Sequence, residues 1–178
     1  MKKIAIVLAL AAVAASARAA GFEKDKLNIG IMPGISIPVG DFGDGYKSSL
    51  ALGVAGEYSL KDDLRAGLEI GYSFKHKLKA NDDFYVSVMS ISPVIKKLWN
   101  KDKFTYFVVG GIGMYHWSIQ AIGSNSGNEF GFNFGGGASY QLQEGLMAGL
   151  DLRYHTFSDE DDTFSSVMVG ARLDYRFK

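Results

Sequence analysis

The chain has 178 residues, with 19 basic and 19 acidic side chains, 22 glycines, 3 prolines and no cysteine. A balanced charge offers no basic surface for nucleic acid, and the missing cysteine excludes disulfides, zinc–thiolate sites and a thiol nucleophile. Beyond the first twenty residues no stretch approaches the 18 apolar residues of a spanning helix. If this chain crosses a membrane, it does so as a closed barrel.

Residues 1–19 read as a secretory signal peptide. Met1-Lys2-Lys3 is a basic start, Ile4 to Ala15 is an apolar run, and Ala17-Arg18-Ala19 fits the small-x-small pattern before a cut. The run is too short, and its flanks are wrong, for a retained spanning helix. The mature chain then starts at Ala20 and forms one domain, residues 20–178. Losing Lys2, Lys3 and Arg18 leaves 16 basic against 19 acidic residues, a net charge near −3.

The mature chain divides into eight alternating segments. The first, Leu27 to Val39, sets Leu27, Ile29, Ile31, Pro33, Ile35 and Ile37 against Asn28, Gly30, Met32, Gly34 and Ser36. Successive strand side chains point to opposite faces, so the segment has one apolar and one small-polar face. A glycine- and aspartate-rich loop, Gly40 to Lys47, follows. The second strand, Ser49 to Leu60, and the third, Leu64 to Lys75, flank the turn Lys61-Asp62-Asp63. The fourth, Phe84 to Trp99, contains Pro93, which has no N–H for a ladder, so a bulge or irregularity is expected there. Asn100 to Lys103 turns the chain into the fifth, Phe104 to Gln120, which is apolar on both faces. The phases of these two strands stay open. After a polar loop, Ile122 to Asn128, the sixth strand spans Glu129 to Leu142. The seventh spans Leu146 to Phe157, an acidic loop covers Ser158 to Thr163, and Ser165 to Phe177 closes the series.

The third and seventh strands echo each other: Leu64-Arg-Ala-Gly-Leu-Glu-Ile-Gly-Tyr72 and Leu146-Met-Ala-Gly-Leu-Asp-Leu-Arg-Tyr154. Repeated hairpins of one design suit an up-and-down barrel. Turns after the even strands are short and those after the odd strands are longer, which is the outer-membrane pattern, with short turns in the periplasm. Both termini are then periplasmic. Asp41–Lys47, His76–Asp83, Gly123–Asn128 and Ser158–Asp162 are then extracellular.

The polar face is rich in glycine and alanine, including Gly30, Gly53, Gly67, Gly135 and Gly149. A solvated exterior has no reason to be glycine-rich, whereas the crowded interior of an eight-stranded barrel does. Large apolar residues fill the other face. Aromatics sit near its ends, with Tyr58, Tyr140, Tyr175 and Phe177 at one rim and Tyr72, Phe74, Phe130 and Tyr154 at the other, as interfacial girdles. The fold class expected is therefore all-β, an eight-stranded antiparallel up-and-down transmembrane β-barrel. The rival is a soluble lipocalin-like barrel with its apolar face turned inward around a ligand.

Gly34-Ile-Ser-Ile-Pro-Val-Gly-Asp-Phe-Gly43, Val109-Gly-Gly-Ile-Gly-Met-Tyr115 and the Tyr175-x-Phe177 ending resemble the small outer-membrane β-barrel proteins of Gram-negative bacteria, the OmpX-like proteins and the barrel domain of OmpA-like proteins. The resemblance spans the mature chain at the level of pattern. It implies residence in the cell outer membrane and insertion by the barrel assembly machinery. It also implies contact with outer-membrane lipid and lipopolysaccharide, and a structural or adhesion-type role exercised through the loops on an unidentified surface ligand. Two features depart from the family. The chain ends Phe177-Lys178, where the family's assembly signal usually ends on the aromatic itself, and no peptidoglycan-binding segment follows the barrel.

The charges on the inward face are Glu57, Arg65, Glu69, Asp151, Arg153, Arg172, Asp174 and Arg176, with Lys75 near a rim. Charges removed from water must be paired. An internal salt-bridge network is expected, with Asp151–Arg172 and Glu57–Arg65 as diagonal partners. It reads as a structural plug, and the alternative is a narrow ion path. Lys75, Lys77 and Lys79 at the outer edge are candidates for contact with lipopolysaccharide phosphates.

Tyr154-His-Thr-Phe-Ser158 resembles the outer-membrane lipid A deacylases, which pair histidine and serine near the outer rim. That family uses a His-x-Ser spacing. Here Ser158 falls on the face opposite His155, and a Ser–His pair needs hydrogen-bond contact. His76 and His116 have no ligand-like spacing. Asp159 to Asp162 lacks the glycine-turned spacing of a calcium loop. Phosphate-binding loops, zinc spacings and nucleotide fingerprints are absent, so neither a cofactor nor an enzymatic activity is expected from the sequence.

Overall fold

The computed structural model describes residues 23–120, 125–159 and 162–177. The expected signal peptide, residues 1–19, lies outside the described residues, as do 20–22, 121–124, 160–161 and 178. After a single 3₁₀ turn at Lys24–Lys26 come eight strands: β1 Leu27–Val39, β2 Ser49–Lys61, β3 Leu64–Lys77, β4 Tyr85–Lys101, β5 Phe104–Gln120, β6 Asn125–Gln143, β7 Leu146–Asp159 and β8 Asp162–Arg176. Every neighbour pair is antiparallel, and β1 pairs with β8 from Asn28↔Arg176 to Val39↔Ser165, closing the sheet. The fold is the expected up-and-down barrel.

Alternation decides which residues face the interior. Along β2, Ala51, Ala55 and Glu57 are buried, while Leu50 is 70% exposed. Along β6, Asn133 and Ser139 are buried while Phe130, Phe132 and Phe134 point out. The apolar face is the exterior of the barrel, the reverse of a ligand cup with an apolar lining. Outward aromatics gather near the ends, with Trp99, Phe104, Tyr106, Tyr140 and Tyr175 at one and Tyr72 and Phe74 at the other. Neighbouring rings pack edge to face, as Phe104 does on Tyr140 at 5.0 Å and Tyr72 on Phe74 at 4.9 Å.

Among the described residues, β4 and β5 turn the most large apolar side chains inward. Val86, Val94 and Leu98 of β4 and Phe107, Val109, Tyr115 and Trp117 of β5 are buried. Their outward faces carry Ile91, Ile95, Val108 and Ile112. With both faces apolar, hydrophobicity alone carries no phase.

One end of the barrel holds three two-residue turns, Asp62–Asp63, Asp102–Lys103 and Glu144–Gly145, together with Leu27 and Arg176. Asp102 and Gly145 adopt the left-handed backbone these turns need, at φ 55° and 81°. This is the turn end. The other is the loop end, and here the sequence reading needs correction. Gly40–Gly45 is a short helix, α1, rather than a loop. β6 starts at Asn125, and the β7–β8 hairpin stays paired to Asp159↔Asp162. The last two loops are therefore much shorter than expected, because their polar residues continue the ladder beyond the apolar band.

Pro93 causes no bulge. Leu68 faces it in a β3–β4 ladder that runs in one register from Leu64↔Lys97 to Ser73↔Val88, and β5 keeps one register on either side, Ile91↔Met114 and Val94↔Gly111. The β4–β5 ladder skips Ser92 and Pro93 and resumes in step, so the missing N–H interrupts pairing without adding a residue. The bulge lies in β3 instead, between Ser73↔Val88 and His76↔Val86. One extra residue there inverts the alternation: Phe74 and Lys75 are both exposed, and His76 turns inward.

Candidate functional site

An eight-stranded barrel has an interior filled by its own side chains. In the half nearer the turn end, that filling is charged. Arg172, from β8, extends Nη2 to within 2.6 Å of Glu57 Oε1 on β2, Nη1 to 3.1 Å from Asp151 Oδ2 on β7, and Nε to 2.7 Å from Asp174 Oδ2. Glu57 also accepts from Lys96 on β4 and, at 3.4 Å, from Arg65 on β3. Asp151 passes the chain on to Arg153 at 3.1 Å, and Arg153 reaches Glu69 Oε2 at 2.9 Å. Four cations (Arg65, Lys96, Arg153, Arg172) thus meet four carboxylates (Glu57, Glu69, Asp151, Asp174) in one connected, electrically neutral cluster. All eight are buried.

Of the eight inward charges expected from the sequence, seven (Glu57, Arg65, Glu69, Asp151, Arg153, Arg172 and Asp174) stand in this cluster, and the pairs Asp151–Arg172 and Glu57–Arg65 are in contact. Lys96 was missed. It lies in the strand whose phase the pattern left open, in a Lys96-Lys97 doublet that says nothing about which lysine points in. Its ammonium also lies 4.8 Å from the centre of the Phe107 ring, and the Arg172 guanidinium 5.4 Å, so Phe107 backs both cations. Arg176, grouped with the inward charges by alternation, is exposed at the turn end, where its Nε donates to Asn28 Oδ1 at 3.3 Å.

Toward the loop end the filling turns aromatic. Tyr115 stacks on Phe157 at 5.1 Å, Phe157 on Phe164 at 5.0 Å, and Trp117 on Phe164 at 6.2 Å. α1 lays Phe42 on top of them, 5.3 Å from Phe164 and 5.3 Å from His76. Between this layer and the charges remains a cavity of about 30 Å³ beside Glu69, His76, Ser90, Tyr115 and His155, room for about two water molecules. The lumen is closed twice, by ion pairs and by rings.

His155 projects inward, with its Nδ1 3.1 Å from the Tyr115 hydroxyl. Ser158 lies outside, 3.2 Å from Thr163 Oγ1, so these two make no pair. His116 faces outward, 3.0 Å from Asn128 Oδ1. His76 has a serine instead: its Nε2 is 3.1 Å from Ser49 Oγ and its Nδ1 3.0 Å from the Lys47 carbonyl. Spacing along the chain gave no sign of this contact, because the β3 bulge creates it.

At the loop-end surface Lys75, Lys77 and Lys79 are exposed, each on its own support. Lys75 Nζ lies 4.5 Å from the Tyr85 ring centre, and Lys79 Nζ donates to Gly43 O at 2.7 Å. Lys77 at 3.4 Å shares Asp82 with Lys47 at 2.6 Å. Those two ammonium groups hold the Asp82 carboxyl below its usual range.

A closed sheet with an apolar exterior, aromatic rims and a packed, ion-paired interior defines a transmembrane β-barrel. The sequence agrees: residues 5–177 match the family model for the outer membrane protein beta-barrel domain, and the chain belongs to that family. Solved structures share the fold at low identity. Neisserial surface protein A matches with a TM-score of 0.71 at 12% identity, over 85% of this chain and 97% of its own. The outer membrane enzyme PagL gives 0.56 at 15%, over 82% and 97%. Ail, the attachment invasion locus protein of Yersinia pestis, gives 0.55 at 14%, over 86% and 100%, and is also known in complex with the heparin analogue sucrose octasulfate. No curated protein matches the chain in sequence.

Proposed function

We propose that this protein resides in the outer membrane, with residues 1–19 removed on export and both ends of the barrel chain in the periplasm, and that it acts through its loop end as a surface-binding protein. The observation that carries this reading is the doubly closed lumen: with ion pairs across one half and stacked rings across the other, no path for a solute is left, and the accessible chemistry lies outside. That chemistry is cationic. Lys47, Lys75, Lys77 and Lys79 ring one side of the mouth, held in place by Asp82, Tyr85 and Gly43. Phosphate groups of lipopolysaccharide are the ligands such a group favours, and the sulfated ligand bound by the Ail barrel has the same anionic character.

The test is binding of the folded barrel in lipid nanodiscs to lipopolysaccharide, before and after phosphatase treatment, at low and high salt. Binding that falls with salt, with phosphate removal and with joint replacement of Lys75, Lys77 and Lys79 by Gln supports the reading. Binding unchanged by the lysine replacements contradicts it.

A further inference from the structure

Ser49 and His76 have the geometry of an activated nucleophile. In the neutral ring the carbonyl of Lys47, which only accepts, takes the Nδ1 proton at 3.0 Å, leaving a lone pair on Nε2 that faces Ser49 Oγ at 3.1 Å. A nucleophile in contact with a base, and the base oriented by a third group, is the arrangement that activates serine. The Ser49 hydroxyl has one other acceptor, the Leu50 carbonyl at 3.2 Å. The ladder alone does not produce this geometry. Strict alternation would send His76 outward with Phe74, and the one-residue bulge after Ser73 is what turns it in. The cavity of about 30 Å³ opens beside His76, with Phe42 and Phe164 as an apolar wall.

We propose that Ser49 and His76 form a serine esterase site for short-chain acyl esters, entered when α1 lifts Phe42 from the barrel mouth. Ser49 Oγ attacks the ester carbonyl carbon and the Oγ proton passes to His76 Nε2. Collapse of the tetrahedral intermediate breaks the bond to the alcohol oxygen, which leaves with the Nε2 proton. Water then attacks the acyl-serine carbon and gives a proton to Nε2, and the released Ser49 Oγ recovers it. The substrate class follows from the space on the His76 side of the pair: the cavity is lined by His76 and not by Ser49 itself, and its volume admits an acyl group of two or three heavy atoms and no long chain. This activity goes beyond the surface-binding reading and does not depend on it.

The experiment uses the full barrel, shown to be folded by its heat-dependent gel mobility, treated with a small fluorophosphonate and analysed by peptide mass spectrometry. Hydrolysis of p-nitrophenyl acetate and p-nitrophenyl octanoate is measured alongside. The proposal expects phosphonylation at Ser49, faster in Phe42→Ala, with acetate preferred over octanoate. Ser49→Ala and His76→Gln lose roughly 100-fold or more of the acetate rate, while Ser158→Ala keeps it. The Gln variant retains a hydrogen-bonding side chain without a base, so a merely structural tie between β2 and β3 predicts no such loss. Absence of label on Ser49 in both the wild type and a folded Phe42→Ala overturns the proposal, as does hydrolysis that survives Ser49→Ala.

Discussion

Glu57 and Arg172 lie 115 positions apart in the chain and 2.6 Å apart in the lumen. Glu57 faces three cations, and Arg172 three carboxylates, so each is the hub of one sign of charge. Removing one partner of a buried pair leaves the others uncompensated, at a cost of about 3–5 kcal/mol. Arg172→Met is expected to lower the stability of the folded barrel by that much in urea titrations followed by gel mobility. A loss below about 1 kcal/mol, the range of a surface pair, would show that the network is solvated.

Lys96 tests the same cluster from the strand that the sequence left unphased. Glu57→Gln and Lys96→Met are each expected to destabilise, and the double variant to lose less than the sum. Contacting residues couple by about 0.5–3 kcal/mol. Strict additivity would place Lys96 outside the network.

Gly135 and Gly56 separate the two faces of the wall. A Cβ on Gly135 would stand 2.0 Å from the Leu152 carbonyl oxygen, whereas one on Gly56 meets nothing within 4 Å. Gly135→Ala is expected to cost roughly 1–3 kcal/mol through overpacking, and Gly56→Ala to be neutral or mildly stabilising. The reverse order would mean that the small-residue face is not the crowded one.

The closed lumen predicts little current. In planar bilayers the wild type is expected to show no steady conductance steps. Arg153→Ala alone is expected to stay closed beneath the aromatic layer, and only Arg153→Ala combined with Phe164→Ala to open. Regular steps from the wild type would instead support an ion path through the charges.

Asp82 ties Lys47 to Lys77, and this tie depends on pH. Its carboxyl is held below the ordinary aspartate value of 3.8, so the folded state binds its proton more weakly than the unfolded chain does. The contribution is complete above about pH 5, weakens as the pH falls past 3.8, and is lost through the lower folded value. The Asp82 carboxyl resonance is expected to titrate below the usual carboxylate range, and to move toward it in Lys47→Gln or at high salt. An unchanged midpoint in Lys47→Gln would show that the tie does not form.

Much of this was legible because period-2 patterning is strong wherever one face is apolar and the other small. β1, β2, β3 and β7 start where the sequence places them, and seven lumen charges follow from the phases of β2, β3, β7 and β8. The pattern fails where physics removes its contrast. β4 and β5 put Val94, Leu98, Phe107 and Val109 inside, so both faces look alike and Lys96 disappears among them. It fails again where one residue breaks the count, at the β3 bulge, which hides the Ser49–His76 contact. The loop end was misjudged for a third reason. Asn125 to Asn128, and Ser158, Asp159, Asp162 and Thr163, are polar or small yet paired, because backbone hydrogen bonds extend a ladder regardless of hydrophobicity.

The central claim is that the apolar face is the outside of a closed, lipid-embedded barrel. Expression of the full chain, separation of the envelope into soluble, inner-membrane and outer-membrane fractions, and electrophoresis with and without boiling test it most directly. The account predicts an outer-membrane band whose mobility shifts on heating. A band in the soluble fraction that boiling does not move would contradict it.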